Sequence, residues 1–168
     1  MTDFRTVTDG LQFPEGPIAL PDGDVLVVEI AAGCLTRIDT RTGRKSVVAK
    51  TGGGPNGAAI GPDGACYVCN NGGFNWHRSD KGLVFPHGNA KDYSGGRIER
   101  VDLATGKVER LYDSCDGHPL NGPNDLVFDD AGGFWFTDPG KDRGRTKDTG
   151  VLYYAKADGS LIREAVFP

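Results

Sequence analysis

Apolar residues in this chain alternate with polar ones over short runs, and most runs stop at a turn signal such as Asp-Gly or Thr-Gly. Short β-rich runs separated by such turns are typical of β-hairpins. No window of useful length shows the periodicity of about 3.6 residues that an amphipathic helix requires. The pattern therefore predicts an all-β fold.

One fifteen-residue pattern occurs three times without gaps. The three copies are EGPIALPDGDVLVVE from Glu15, NGAAIGPDGACYVCN from Asn56 and NDLVFDDAGGFWFTD from Asn124. Each copy begins with a carboxylate or an amide, passes through a turn that ends in glycine, and closes on a second polar residue. Repeats of one structural unit at a regular spacing indicate an array of such units.

A second hairpin with its own glycine turn follows each copy, so each repeat contains four strands. The first two copies begin 41 residues apart, which lies in the range for a propeller blade of about 40–45 residues. We therefore predict a β-propeller with four-stranded blades at approximately 11–52, 53–118 and 119–168. Closed propellers carry roughly four to eight blades, so residues 1–168 are expected to form a partial propeller domain from which the C-terminal blades are missing.

The second and third copies begin 68 residues apart, and the excess falls in an insertion at 72–95. A long insertion in a compact unit is usually functional or disordered. Its position, between the two hairpins of the second repeat, predicts a flap near one mouth of the channel. Trp76 and His77 are candidate substrate contacts within it, and packing on the surface is the alternative.

The first position of each repeat holds Glu15, Asn56 or Asn124. In a propeller the first strand of each blade lines the channel, so equivalent positions point at one place on the axis. One carboxylate and two amides form an oxygen-rich ring of the kind that hard cations such as Ca²⁺ prefer. Each asparagine could instead be a turn residue after proline, whereas a buried glutamate would need a partner, for which a cation is suitable.

Charge and cysteine content narrow the choice of partners. The net charge of −4 does not indicate a basic surface that would bind nucleic acid. No apolar run is long enough to predict a membrane-spanning helix. The first ten residues lack the apolar segment of a secretory signal, so we expect a cytoplasmic location. Cys66 and Cys69 stand three apart in a predicted strand, where they would point to opposite faces and pack rather than share a metal.

Two motifs resemble those of the SMP-30/gluconolactonase/luciferin-regenerating-enzyme family. FPEGP at 13–17, ahead of a Pro-Asp-Gly turn, resembles the first-blade motif, and NGPNDLVF at 121–128, continuing to FTDP at 136–139, resembles the third-blade motif. The similarity runs through essentially the whole chain. It implies a propeller of six blades, of which three are present, with one catalytic divalent cation in the channel.

The resemblance also implies roles for individual residues. Glu15 and Asn124 would be metal ligands, with two further ligands from later blades. Asn56 would line the substrate pocket. Asp125 would point away from Asn124 on a regular strand, yet the family often keeps an aspartate near the metal here, so Asp125 is a catalytic candidate. Many members carry arginine at the position of Gly122, where it contacts the substrate. Because this chain has glycine there, the resemblance does not determine which substrate it takes.

The implied function is hydrolysis of a sugar lactone, with the metal as Lewis acid. The expected cofactor is one divalent cation. Ca²⁺ is the preferred candidate, and Zn²⁺, Mn²⁺ and Mg²⁺ are alternatives. The absence of His and Cys from the ring argues against zinc. A non-catalytic metal-binding or interaction propeller and an organophosphate- or phosphoester-cleaving relative stay open. We expect the remaining blades or a second copy to be needed to close the propeller, and this chain alone to be inactive.

Overall fold

The computed structural model describes residues 4–167, and all the regular secondary structure in that range is β-strand. The expectation of an all-β fold is therefore confirmed. Three antiparallel sheets of four strands each contain most of the strands, and two small hairpins contain the others. No helix in the described range is long and apolar enough to cross a membrane.

The strands of the first sheet pair in chain order, and they are β1 (Pro14–Ala19), β2 (Val25–Glu29), β3 (Cys34–Ile38) and β4 (Lys45–Lys50). The second sheet has the order β5-β6-β9-β10, with β5 (Pro55–Ile60), β6 (Cys66–Asn70), β9 (Arg97–Val101) and β10 (Val108–Tyr112). The third sheet again follows chain order, with β13 (Leu126–Phe128), β14 (Gly133–Asp138), β15 (Val151–Lys156) and β16 (Ile162–Val166). Each sheet lies within one of the three predicted segments.

The insertion at 72–95 forms a β-hairpin of its own. Its strands are β7 (Phe74–Arg78) and β8 (Val84–Asn89). A second small hairpin, β11 (Ser114–Cys115) with β12 (His118–Pro119), joins the second sheet to the third. The Tyr93 hydroxyl donates to the carbonyl of Asn121 at 2.6 Å and so fastens the end of the insertion to the third sheet's entry loop.

Two apolar cores hold the three sheets against one another. One core contains Leu26 and Val28 of β2 together with Cys66 and Val68 of β6. The other contains Tyr67, Cys69, Ile98, Phe134, Phe136 and Tyr153. The middle sheet is thus buried on both faces, because alternate side chains of a strand point to opposite sides.

The positions of the cysteines in these cores explain their burial. Cys66 and Cys69 belong to different cores, which confirms that they face opposite ways. All four cysteines are free and buried, and burial raises the pKa of the Cys66 thiol to about 12. They are packing residues in this fold.

The outer face of the third sheet carries exposed apolar side chains. Val127 is 62% exposed and Val166 is 58% exposed, while Tyr153 on the other face stacks on Phe136 at 4.9 Å between ring centroids. Large apolar patches on a protein surface mark places where other chains or segments pack. This face is suited to receive a further sheet.

Candidate active site

One small pocket gathers the first two positions of all three repeats. Its volume is about 150 Å³, and it is lined by Glu15, Gly16, Asn56, Gly57, Asn124 and Asp125. These residues belong to β1, β5 and the segment just before β13, which are the first strands of the three sheets. The structure therefore brings together four of the six residues that the sequence singled out, and we call this space the ring pocket.

A β-bulge explains why neighbouring residues both line the ring pocket. The N–H of Asn124 donates to the Thr137 carbonyl at 2.8 Å, and the N–H of Thr137 donates to the Asp125 carbonyl at 3.1 Å. Two residues thus oppose one, and a bulge of this kind re-aims a side chain that would otherwise point away. Asp125 therefore does not follow the alternation of a regular strand. The register shifts in the same way at the start of β1 and of β5.

Glycine at the second repeat position lets the inner strands approach closely. A Cβ atom on Gly16 would lie 2.7 Å from the Ala58 nitrogen, and one on Gly57 would lie 2.6 Å from the Asn124 carbonyl oxygen. Any larger residue at either position would push the neighbouring backbone away. The small size of the ring pocket depends on these two contacts.

Hydrogen bonds orient three of the ring pocket's side chains. The Asn56 amide Nδ2 donates to Asn124 Oδ1 at 2.8 Å, and Asp125 Oδ1 accepts the N–H of Leu126 at 2.9 Å. Glu15 is exposed. Water therefore reaches this carboxylate in the three sheets described, and the expectation that Glu15 has a cation as its partner stays a prediction.

The donor atoms of the ring pocket suit a hard cation. Its side chains offer two carboxylates and two amide oxygens, with no nitrogen or sulfur ligand of the type that zinc prefers. An amide oxygen has two lone pairs, so Asn124 Oδ1 keeps one after accepting from Asn56. Residues 4–167 contain no group of three or more His, Cys, Asp or Glu side chains placed to hold a metal, so these donors alone fall short of about six ligands.

Asp138, the last residue of the third repeat, fixes the loop that leads to Asn124. Its carboxylate is buried and accepts the N–H groups of Asn121 at 2.8 Å, Gly122 at 2.7 Å and Gly140 at 2.8 Å. Hydrogen bonds to an ionised group are the stronger ones. Asp138 is therefore a positioning residue, which agrees with the loop-holding role that its place at a strand end suggests.

The equivalent residues of the other two sheets act in the same way. Glu29 accepts the N–H of Gln12 at 2.7 Å, and Asn70 accepts the N–H of Gly54 at 2.8 Å. Each bond reaches the backbone two or three residues before the first repeat position. The polar residue that closes every fifteen-residue copy was the sequence signal for this role.

Trp76 and His77 lie outside the ring pocket. The Trp76 ring packs 5.1 Å from the ring of Phe13 and 6.1 Å from that of Phe74, whereas His77 is exposed. Phe13 has a φ of 58°, a left-handed conformation that is strained for a bulky residue. The structure therefore links Trp76 to the segment that leads into Glu15, but brings neither Trp76 nor His77 to the ring.

Lys141 is a buried charged residue that sequence reasoning missed. It is 4% exposed, and its Nζ lies 4.4 Å from the Phe74 ring centroid and 5.3 Å from that of Tyr93. Within the described residues Nζ has no hydrogen-bond partner. Burial lowers the pKa of Lys141 to about 8. A Cβ on Gly122 would lie 3.5 Å from Lys141 Cε, so this side chain runs beside the position where the resemblance expects an arginine.

Three comparisons with known proteins agree with this geometry. The model of the SMP-30/Gluconolactonase/LRE-like region matches residues 13–166, so the chain belongs to this family. It is 26% identical over 152 residues to a gluconolactonase of Zymomonas mobilis subsp. mobilis, a match that covers 82% of this chain and 36% of the relative.

Solved structures show the same fold at low sequence identity. A gluconolactonase from Xanthomonas campestris superposes with a TM-score of 0.70 at 21% identity, over 96% of this chain and 50% of that protein. The nidogen/laminin complex superposes with a TM-score of 0.61 at 18% identity, over 92% of this chain and 48% of that one. The chain thus has a propeller-like fold and spans about half the length of these solved relatives.

Proposed function

We propose that the protein is a divalent-metal-dependent hydrolase of sugar lactones whose catalytic centre lies at the ring pocket. One observation carries the proposal. A carboxylate and two amide oxygens, which occupy equivalent places in three repeats, converge on one pocket of about 150 Å³ in a chain of the SMP-30/gluconolactonase family.

The complete active unit is a six-bladed propeller with four-stranded blades. The three sheets described above would supply three blades, and further blades would pack on the apolar outer face that includes Val127. Two observations support this: the chain covers about half of the solved relative from Xanthomonas campestris, and closed propellers leave no such face exposed. The missing blades would also add the metal ligands that the ring pocket lacks.

Glu15 and Asn124 would hold the cation through oxygen atoms, and Ca²⁺ is the cation that this donor set favours. When bound, such a cation polarises a carbonyl and lowers the pKa of water. Asn56 orients Asn124, because its amide occupies one lone pair of Asn124 Oδ1 at 2.8 Å. The other lone pair stays available for the cation.

Asp125 is the catalytic candidate among the described residues. Its Oδ1 atom accepts the Leu126 N–H, which fixes the carboxylate and leaves Oδ2 for a water molecule or a substrate hydroxyl. A general base must stand within about 2.6–3.2 Å of the proton that it takes. The bulge turns the Asp125 carboxylate into the ring pocket, where it could come within this distance of a water molecule.

A substrate panel tests the proposal against its two alternatives. The protein that carries all six proposed blades is stripped of metal with a chelator, then assayed for the release of acid from gluconolactone with and without Ca²⁺, Mn²⁺, Zn²⁺ or Mg²⁺. We expect lactone opening that depends on added cation. Cleavage of a phosphotriester in place of the lactone would favour the phosphoester-cleaving alternative, and cation binding without turnover of either substrate would favour a non-catalytic propeller.

A further inference from the structure

A second pocket lies at the end of the sheets where β1 and β5 begin, since its residue Gly53 precedes β5 and its residue Ile30 follows β2. Its volume is about 330 Å³, and it is lined by Ile30, Ala31, Gly53, Gly72, Gly73, Phe74, Trp76, Ala90, Asp92 and Ser94. That volume lies in the range of about 300–1,000 Å³ for small-molecule sites. Gly53 stands three residues before Asn56, so these two residues are at most roughly 11 Å apart, which is within the reach of one sugar ring with its substituents.

A rigid aromatic wall forms one side of this second pocket. Trp76 packs edge-on against Phe74 at 6.1 Å and lies against Phe13 at 5.1 Å, so neighbours on two sides fix its indole ring. The face of an aromatic ring carries partial negative charge, and the C–H groups on one face of a sugar ring are attracted to it. Trp76 therefore provides a stacking platform for a sugar.

Glycine residues keep the opposite side of the pocket free of side chains. Gly53, Gly72 and Gly73 have φ angles of 58°, 82° and 109°, which other residues rarely adopt. A Cβ on Gly73 would lie 3.2 Å from the Ala90 Cβ, so a side chain there would narrow the space. The glycines thus fix both the path of the backbone and the width of the pocket.

Polar groups at the rim decide which ligand is suitable. Asp92 and Ser94 line the pocket, and the Asp92 carboxylate can accept from the hydroxyl groups of a ligand. Ser94 Oγ donates to the Gly72 carbonyl and accepts from Arg97 Nη1, which leaves it one lone pair for a ligand hydroxyl.

Two cations lie nearby but are buried: Arg97 is paired with Glu99, and Lys141 lies against the Phe74 ring. Asp92 is exposed, so its negative charge, together with Glu15 and Asp125 in the ring pocket, disfavours an anion. The surroundings therefore favour a neutral polyhydroxylated molecule over a carboxylic acid of the same skeleton.

We propose that this second pocket is a carbohydrate-binding subsite that takes the polyhydroxylated part of a neutral sugar. Trp76 is the stacking platform, and Asp92 and Ser94 bind hydroxyl groups. One part of the inference rests on the proposed function: the lactone ring reacts at Glu15 while its polyol part occupies the subsite. Hydrolysis of the lactone converts a neutral ester into a carboxylate at the ring pocket, and Asp92 would disfavour rebinding of this anionic product in the subsite.

Two measurements test the subsite, and the first does not need catalysis. Saturation-transfer NMR with glucose as the probe should show contact in the wild-type protein and in Trp135→Phe, a matched control on the third sheet. The signal should be lost in Trp76→Ala. In Asp92→Asn, binding of the anion gluconate should increase relative to glucose. Contact that survives Trp76→Ala, or no contact in the wild type, overturns the proposal.

The second measurement links the subsite to the reaction. In the protein that carries all six proposed blades, Trp76→Ala should raise KM for gluconolactone about tenfold, which corresponds to about 1.4 kcal/mol. KM for butyrolactone, which has no hydroxyl groups, should change less than about twofold. An equal effect on both lactones contradicts the subsite. A protein that binds glucose through Trp76 but opens no lactone would refute the proposed function and leave the subsite standing.

Discussion

Replacing Lys141 with methionine should make the protein more stable at neutral pH. The ammonium group is buried between Phe74 and Tyr93 and has no hydrogen-bond partner within the described residues. Methionine keeps an unbranched stem of similar length in this slot and removes the charge. The variant therefore isolates the cost of burying one cation.

The size of the effect follows from the pKa of Lys141, which burial lowers from 10.5 to about 8. The difference of about 2.5, at 1.36 kcal/mol for each pKa unit, corresponds to about 3 kcal/mol. The variant also loses cation–π attraction to two rings, which contributes about 1 kcal/mol. We therefore expect Lys141→Met to raise the free energy of unfolding by about 2 kcal/mol at pH 7.

The stability gained by Lys141→Met should decrease as the pH rises above 8. Between pH 8 and 10.5 the unfolded chain holds a proton on Lys141 that the folded protein has lost, so the stability of the wild type rises with pH in that window. Below pH 8 both states are protonated, and the full cost of burial is present. The advantage of the variant should shrink by about 2 kcal/mol between pH 7 and pH 10.

Buried thiols act in the opposite direction in the same range. Desolvation raises the pKa of all four cysteines, Cys34, Cys66, Cys69 and Cys115, so their contribution to stability falls as the unfolded thiols ionise. The difference between variant and wild type cancels this effect. Urea unfolding at pH 7, 8, 9 and 10 measures it, and a difference that is negative at pH 7 or independent of pH would refute the reasoning.

Asp138→Ala should cost about 2–3 kcal/mol of stability, because one buried and two partly buried N–H groups lose their acceptor, and cation affinity measured by calorimetry should fall with it. Gly57→Ala should cost about 1–3 kcal/mol through overpacking against Asn124, whereas Gly150→Ala, whose Cβ would meet ordinary contacts at 3.5 Å, should be nearly neutral in the same urea titration. The chain of residues 1–168 alone should associate through its exposed apolar faces, and light scattering should show that Val127→Lys reduces this association. A soluble wild-type monomer with a cooperative melt would contradict the last expectation.

The grouping of Glu15, Asn56 and Asn124 was predictable because it depends on a repeat. Equivalent positions in equivalent units meet when the units pack side by side, and the fifteen-residue pattern fixes which positions are equivalent. The same logic separated Cys66 from Cys69, since the alternation of a strand is a local property.

Features that depend on contacts between distant segments were not predictable in this way. Asp125 reaches the ring pocket because two residues oppose Thr137 in the strand pairing, and local sequence does not specify such a bulge. Lys141 is buried only because the inserted hairpin places Phe74 over it. A lysine in a sequence predicts an exposed side chain, because lysine is rarely buried. The burial of Lys141 could therefore not be predicted from the sequence.

The most direct test of the central claim compares Glu15→Gln with Glu109→Gln in the protein that carries the complete set of blades. Both changes remove one carboxylate, but Glu15 lines the ring pocket whereas Glu109 lies on the outer strand β10 with 45% of its side chain exposed. We expect Glu15→Gln to weaken Ca²⁺ binding and to reduce kcat/KM for gluconolactone together, by at least about tenfold each, while Glu109→Gln retains both. Unchanged Ca²⁺ affinity and lactone turnover in Glu15→Gln would show that Glu15 is a structural residue and that the ring pocket is not the catalytic centre.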